Sequence, residues 1–139
     1  MTVLLDTNVI MDALQERQPF DTEAKEILLR AQNGEFTCCF TANAVADIFY
    51  LYRKARDLKS ARQVLNFLLE KFKVVSVAHE DCISAMFIPI EDFEDALVSA
   101  CAKKAGADCI ISRDDTFLRD NSPVPVIKPK DFLKSLMEK

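Results

Sequence analysis

Val3-Leu4-Leu5-Asp6-Thr7-Asn8-Val9-Ile10 is the stretch on which the fold turns. Val3, Leu4 and Leu5 form an apolar run too short for a helix and suited to a buried strand. Asp6 ends it. Val9, Ile10, Ala13 and Leu14 then recur at helical spacing. A buried strand that turns at an acid directly into an amphipathic helix is the first half of a βα unit.

The same alternation continues along the chain. Asp21 can cap a helix through about Gln32, with Ala24, Ile27, Leu28 and Ala31 on one face and Gly34 as its stop. Phe36–Phe40 is a second strand, and Thr41 can cap a helix with Val45, Ile48, Phe49 and Tyr52 inward. A further helix spans about Ser60 to Phe72, followed by a strand at Val74–Val77. Residues 80–87 are helical, and Pro89 breaks the chain. A helix from about Asp92 to Ala105 carries Phe93, Leu97, Ala100 and Cys101 inward and stops at Gly106. Cys109–Ile111 is a fourth strand, Val124, Val126 and Ile127 a short fifth, and a last helix follows Pro129. Short apolar strands alternating with amphipathic helices indicate an α/β fold with a parallel sheet covered on both faces. Its functional crevice lies beyond the carboxyl ends of the strands.

Composition narrows the function. The 139 residues, half of them hydrophobic, fit one domain over 1–139 with a sizeable core. Two glycines, Gly34 and Gly106, cannot build a glycine-rich phosphate cradle, which argues against nucleotide cofactors. The net charge of −4 means that any grip on nucleic acid needs a local offset to the carboxylates, such as a bound cation. The opening residues do not form a signal peptide and no apolar run approaches membrane-spanning length, so a cytoplasmic location is expected. The five cysteines lack a C-x-x-C pair and are expected to be reduced and buried; His79, the sole histidine, fits a surface helix start better than a zinc site.

Four acids stand where a parallel sheet would gather them. Asp6 follows the first strand, Asp114 lies just after the fourth, Asp47 is in the second turn of the helix after the second, and Asp95 is in the first turn of the helix leading to the fourth. Carboxylates collected at one edge raise each other's pKa, and a hard divalent cation relieves that repulsion. Each acid also has a plainer role. Asp6 can cap the first helix, Asp92 and Asp95 have capping-box spacing, and Asp114 with Asp115 can form a turn. Asp47 is harder to explain away, because Ala44, Val45, Ala46, Ile48 and Phe49 around it are apolar and aspartate is a poor helix former.

Taken together, Leu5-Asp6-Thr7-Asn8-Val9-Ile10-Met11-Asp12, Thr41–Tyr50, Asp92-Phe93-Glu94-Asp95-Ala96-Leu97 and Ile110-Ile111-Ser112-Arg113-Asp114 with Phe117 resemble the successive acidic elements of PIN-domain nucleases. The likeness covers nearly the whole chain. It implies a PIN-like three-layer sandwich built on a five-stranded parallel sheet. Asp6, Asp47, Asp95 and Asp114 would be both the catalytic and the metal-binding quartet, with Asn8, Ser112 and Asp92 in support. Many such domains carry glutamate where Asp47 stands. The implied activity is Mg²⁺- or Mn²⁺-dependent endoribonuclease hydrolysis of RNA without a histidine base, by in-line attack that leaves a 5′-phosphate and a 3′-hydroxyl. The resemblance further implies a VapC-type toxin, paired as a homodimer and restrained by a small antitoxin protein. Arg113, adjoining Asp114, is the candidate substrate contact, whereas Arg53, Lys54, Arg56, Lys59 and Arg62 fit a solvated face. A dehalogenase-like phosphatase would need an acid at Asn8, and a receiver domain would need an aspartate after the third strand, where His79 and Glu80 stand. A non-catalytic PIN-fold binding module is the remaining alternative.

Overall fold

The computed structural model describes residues 1–138. In it, β1 (Thr2–Leu5) is the central strand of a five-stranded sheet. β2 (Thr37–Thr41) and β3 (Lys73–Val75) lie on one side of β1, and β4 (Cys109–Ile111) and β5 (Val126–Ile127) on the other. Every pairing is parallel.

Side-chain alternation along the strands divides the core in two. Val3 and Leu5 of β1, Cys38 and Phe40 of β2, and Cys109 and Ile111 of β4 point to one face. There they meet α1 (Thr7–Leu14), α2 (Asp21–Gln32), α3 (Ala42–Ala55), α4 (Leu58–Lys71) and α8 (Pro129–Met137). Leu4, Cys39 and Ile110 point to the other face, against α5 (His79–Met86), α6 (Phe93–Lys104) and α7 (Asp115–Arg119). The inner strands β1, β2 and β4 are buried on both faces, which explains why they read as unbroken apolar runs rather than alternating ones. The result is the three-layer α/β sandwich.

α6 is buried from Asp95 through Ala102. Its small residues, Ala96, Ala100 and Ala102 among them, let the helix sit close on the sheet. Gly34 and Gly106 terminate α2 and α6 in the left-handed region, at φ of 84° and 70°. Some local expectations are corrected. Phe93 does not point inward but is 45% exposed, because α6 enters the core only from Asp95 onward. Asp21 is a first-turn acid rather than the cap of α2, and Thr41 occupies the N-cap of α3 without a side-chain bond. The segment after Asp114 is not a simple turn but α7.

The chain runs from β1 outward to β2 and β3, then crosses back to β4 beside β1. The strand order therefore reverses between β1 and β4, and a crevice opens at their carboxyl ends. The register pairs Leu5 with Ile111, so the residues just beyond, Asp6 and Ser112, emerge side by side.

Candidate functional site

Asp6 leaves β1 in extended conformation and caps α1, its Oδ1 accepting from the Thr7 amide at 2.9 Å. Its own amide donates to the Ile111 carbonyl at 2.9 Å, which ties the junction to β4. The Ser112 hydroxyl donates to Asp6 Oδ2 at 2.7 Å, and Asn8 Nδ2 donates to the same oxygen at 3.3 Å. Ser112 Oγ also accepts from the Asp114 amide at 3.1 Å. One buried hydroxyl thus joins the ends of two neighbouring strands and holds Asp6 and Asp114 in a common frame.

Asp114 caps α7, accepting from the Thr116 amide at 3.0 Å. Asp92 caps α6, accepting from the Asp95 amide at 3.1 Å. These bonds satisfy helix amides that would otherwise be unpaired, and the positive ends of the two helix dipoles favour acids there. Asp6, Asp92, Glu94, Asp95 and Asp114 line one cavity of about 300 Å³ together with Thr7, Asn8 and Arg17. Asp47 is half-buried on α3 and is not among the lining residues, but its charge bears on Glu94. Three of the four sequence-predicted acids are therefore brought to one cavity, and the fourth reaches it only through its charge on Glu94.

The negative charge is concentrated enough to shift titrations. Burial, followed by the charges of Asp92, Asp6, Asp114 and Glu94, pushes Asp95 up to about 7. Burial also raises Asp6, with Asp114 and Asp92 adding to the effect, while the bonds from Ser112 and the Thr7 amide oppose it. Glu94 is raised by burial and then by Asp47, Asp6 and Asp92. Among the described residues, none of the five cavity carboxylates forms a salt bridge with a lysine or arginine. An all-oxygen donor set with unbalanced charge suits a hard divalent cation. No three acid, histidine or cysteine side chains among the described residues form a ready-made metal cage, however. The carboxylates of Asp6 and Asp114 are turned toward helix amides.

The sequence profile described as the PIN domain matches residues 2–116, more than half of the chain. The chain belongs to the PIN-domain family. A comparison with curated proteins found no significant match. Among solved structures, this PIN domain resembles VapBC2 from Rickettsia felis bound to a promoter DNA fragment, with a TM-score of 0.70 at 15% identity over 92% of this chain and 98% of that one. It resembles DNA-bound VapBC from Salmonella typhimurium with a TM-score of 0.71 at 13% identity, covering 93% and 98%. It also resembles VapC20 of Mycobacterium tuberculosis, a Sarcin-Ricin loop cleaving toxin, with a TM-score of 0.67 at 14% identity, covering 88% and 99%. At such identities the likeness establishes the fold.

Two charged cavity residues of this PIN domain escape a reading of the sequence. Glu94 adjoins Asp95, and its position in the first turn of α6 was the available signal. Arg17 lies beyond α1 in a loop with no regular pattern, and nothing local marks it. Arg113 has a different engagement from an open substrate contact. Its Nε and Nη2 donate to Asp12, the latter at 3.0 Å, and its guanidinium lies over the Phe20 ring at 4.2 Å. Asp12, in the last turn of α1, is 1% exposed, and neither it nor Arg113 lines the cavity. The hydrogen-bonded Asp12 carboxylate holds the guanidinium even more firmly protonated than usual.

Proposed function

We propose that this PIN domain is a divalent-metal-dependent endoribonuclease, the toxin of a toxin–antitoxin pair. The observation that carries the proposal is the gathering of Asp6, Asp95 and Asp114 around one cavity at the β1/β4 switch point, with Asp95 raised to about 7. Family membership supports nuclease chemistry over the alternative of a non-catalytic binding module.

In this reading Asp6, Asp95 and Asp114 would hold Mg²⁺ or Mn²⁺, with Glu94 beside them in the acidic wall and Asp47 adding its charge from α3. A bound divalent cation supplies an acidified water and neutralises phosphate charge. The protein's share is to fix the carboxylates. Ser112 and Asn8 orient Asp6, the Ser112 hydroxyl anchors the Asp114 backbone, and Asp92 sets the start of α6 so that Asp95 faces the cavity. The likeness to VapBC complexes supports a small antitoxin as partner. Exposed aromatic and aliphatic residues on α3 and α4, Tyr50 (62%), Phe67 (40%) and Leu69 (49%), support a protein-covered face and a homodimer. The buried thiols of Cys38, Cys39 and Cys101 suit a reducing compartment such as the cytoplasm.

The test is incubation of the purified, partner-free chain with mixed RNA in Mg²⁺, in Mn²⁺ and in EDTA. Cleavage with either metal, abolished by EDTA and by Asp6→Asn or Asp95→Asn, is the expected result. RNA left intact under all conditions by a folded chain rejects the enzyme reading. Light scattering on the isolated chain and co-purification from its host check the homodimer and the antitoxin.

A further inference from the structure

A cavity lined with carboxylates repels the polyanion it is meant to receive, so a fixed cation at its rim has a specific use. Arg17 is the one lysine or arginine among the described residues that line this cavity. It is not spent on neutralising the acids there: its recorded ion pair is a long one, 3.9 Å, to Asp12, which Arg113 already holds by two hydrogen bonds. Its Nε and Nη2 instead donate to the neutral Gln15 Oε1, at 3.1 and 2.7 Å. A neutral acceptor orients the guanidinium without cancelling its charge.

The backbone is held as firmly. Glu16 adopts a left-handed φ of 51°, and the Arg17 amide donates back to the Asp12 carbonyl at 3.0 Å, the closing bond of a Schellman-type helix end. A non-glycine residue at that position is unfavourable by itself. The Phe20 amide then donates to the Arg17 carbonyl at 2.9 Å. Arg17 is thus anchored at backbone and side chain, while its side chain stays 37% exposed.

We propose that Arg17 is the residue that grips an RNA phosphate at the mouth of the acidic cavity, an inference that rests on the ribonuclease reading above. The planar guanidinium fork matches phosphate oxygens. Gln15 is its positioning residue. Arg113, committed to Asp12 and Phe20, supports the fold instead.

Cleavage kinetics of a single-stranded RNA by the full chain distinguish these roles. Arg17→Ala should raise KM about 10-fold with a small effect on kcat, and should flatten the dependence of log kcat/KM on log salt by about 0.7, the value of one single-strand phosphate contact. Its Tm should not move. Arg17→Lys should keep the salt slope and recover part of the KM, and Gln15→Ala should raise KM less than Arg17→Ala. Arg113→Ala should lower Tm and leave the slope of the remaining folded enzyme intact. An unchanged KM and salt slope in Arg17→Ala, with the parent active, overturns the assignment and leaves the ribonuclease reading standing. A parent that neither binds nor cleaves RNA removes both.

Discussion

The Ser112 hydroxyl donates to Asp6 Oδ2 at 2.7 Å across 106 positions of sequence. The bond closes the gap between the central strand and its neighbour at the point where strand order reverses. Ser112 Oγ in turn accepts from the Asp114 amide, so two acids of the cavity depend on one fully buried serine.

Ser112→Ala should therefore affect structure and chemistry together. Losing the hydroxyl leaves the Asp114 amide without this acceptor and should cost about 1–3 kcal/mol of stability in urea denaturation. It also removes a bond that holds the Asp6 carboxyl down, so the Asp6 titration observed by NMR should move further upward. Metal-dependent RNA cleavage should fall in parallel. An unaltered Asp6 titration would contradict this role for the hydroxyl.

Asp95 makes the metal-free protein less stable as pH rises. Its folded-state pKa is raised from 3.8 to about 7, so between these values the folded chain keeps a proton that the unfolded chain has released. Unfolding free energy must then fall with increasing pH across that window and level off above it. Asp6 and Glu94, also raised, act in the same direction. Asp95→Asn should be more stable than the parent at pH 8 by about 2–4 kcal/mol and should show a flatter pH profile. Chemical denaturation of both proteins in EDTA from pH 4 to 8 checks the sign. A parent that grows steadily more stable toward pH 8 would refute it.

The Asp12–Arg113 pair should carry fold stability. Asp12 is 1% exposed and would be left buried with only the distant Arg17 as counter-charge. Arg113→Ala should cost about 3–5 kcal/mol, the usual consequence of removing one partner from a buried pair. Loss of the contact with the Phe20 ring adds to the effect. Thermal denaturation against the parent measures it, and a change under about 1 kcal/mol would show the pair to be superficial.

Asp92 is expected to matter more for α6 than for chemistry. Asp92→Ala removes the acceptor of the Asp95 amide and should destabilise by about 1 kcal/mol while most of the activity is kept. Asp92→Asn, which retains a capping oxygen, should recover the stability. A catalytic collapse in Asp92→Ala with unchanged stability would reassign the residue to the reaction.

The alternation of strands and helices was legible in the chain because it is set by neighbours. Apolar runs of three to five residues, helical spacing at Val9, Ile10, Ala13 and Leu14, and the stops at Gly34 and Gly106 are all local facts. The junction positions of Asp6 and Asp114 followed from the same reading. What only the tertiary structure decided is which junctions meet. The order β3-β2-β1-β4-β5 puts β1 beside β4, and with it Asp6 beside Ser112. α6 enters the core only at Asp95, so Glu94 lines the cavity while Phe93 stays 45% exposed, and Asp47 is not part of the lining. Arg113 and Asp12 are 101 positions apart, and no local propensity records their pairing. Such contacts are chosen by the packing of whole layers, where burying a charge without its partner costs more than any local preference can offset.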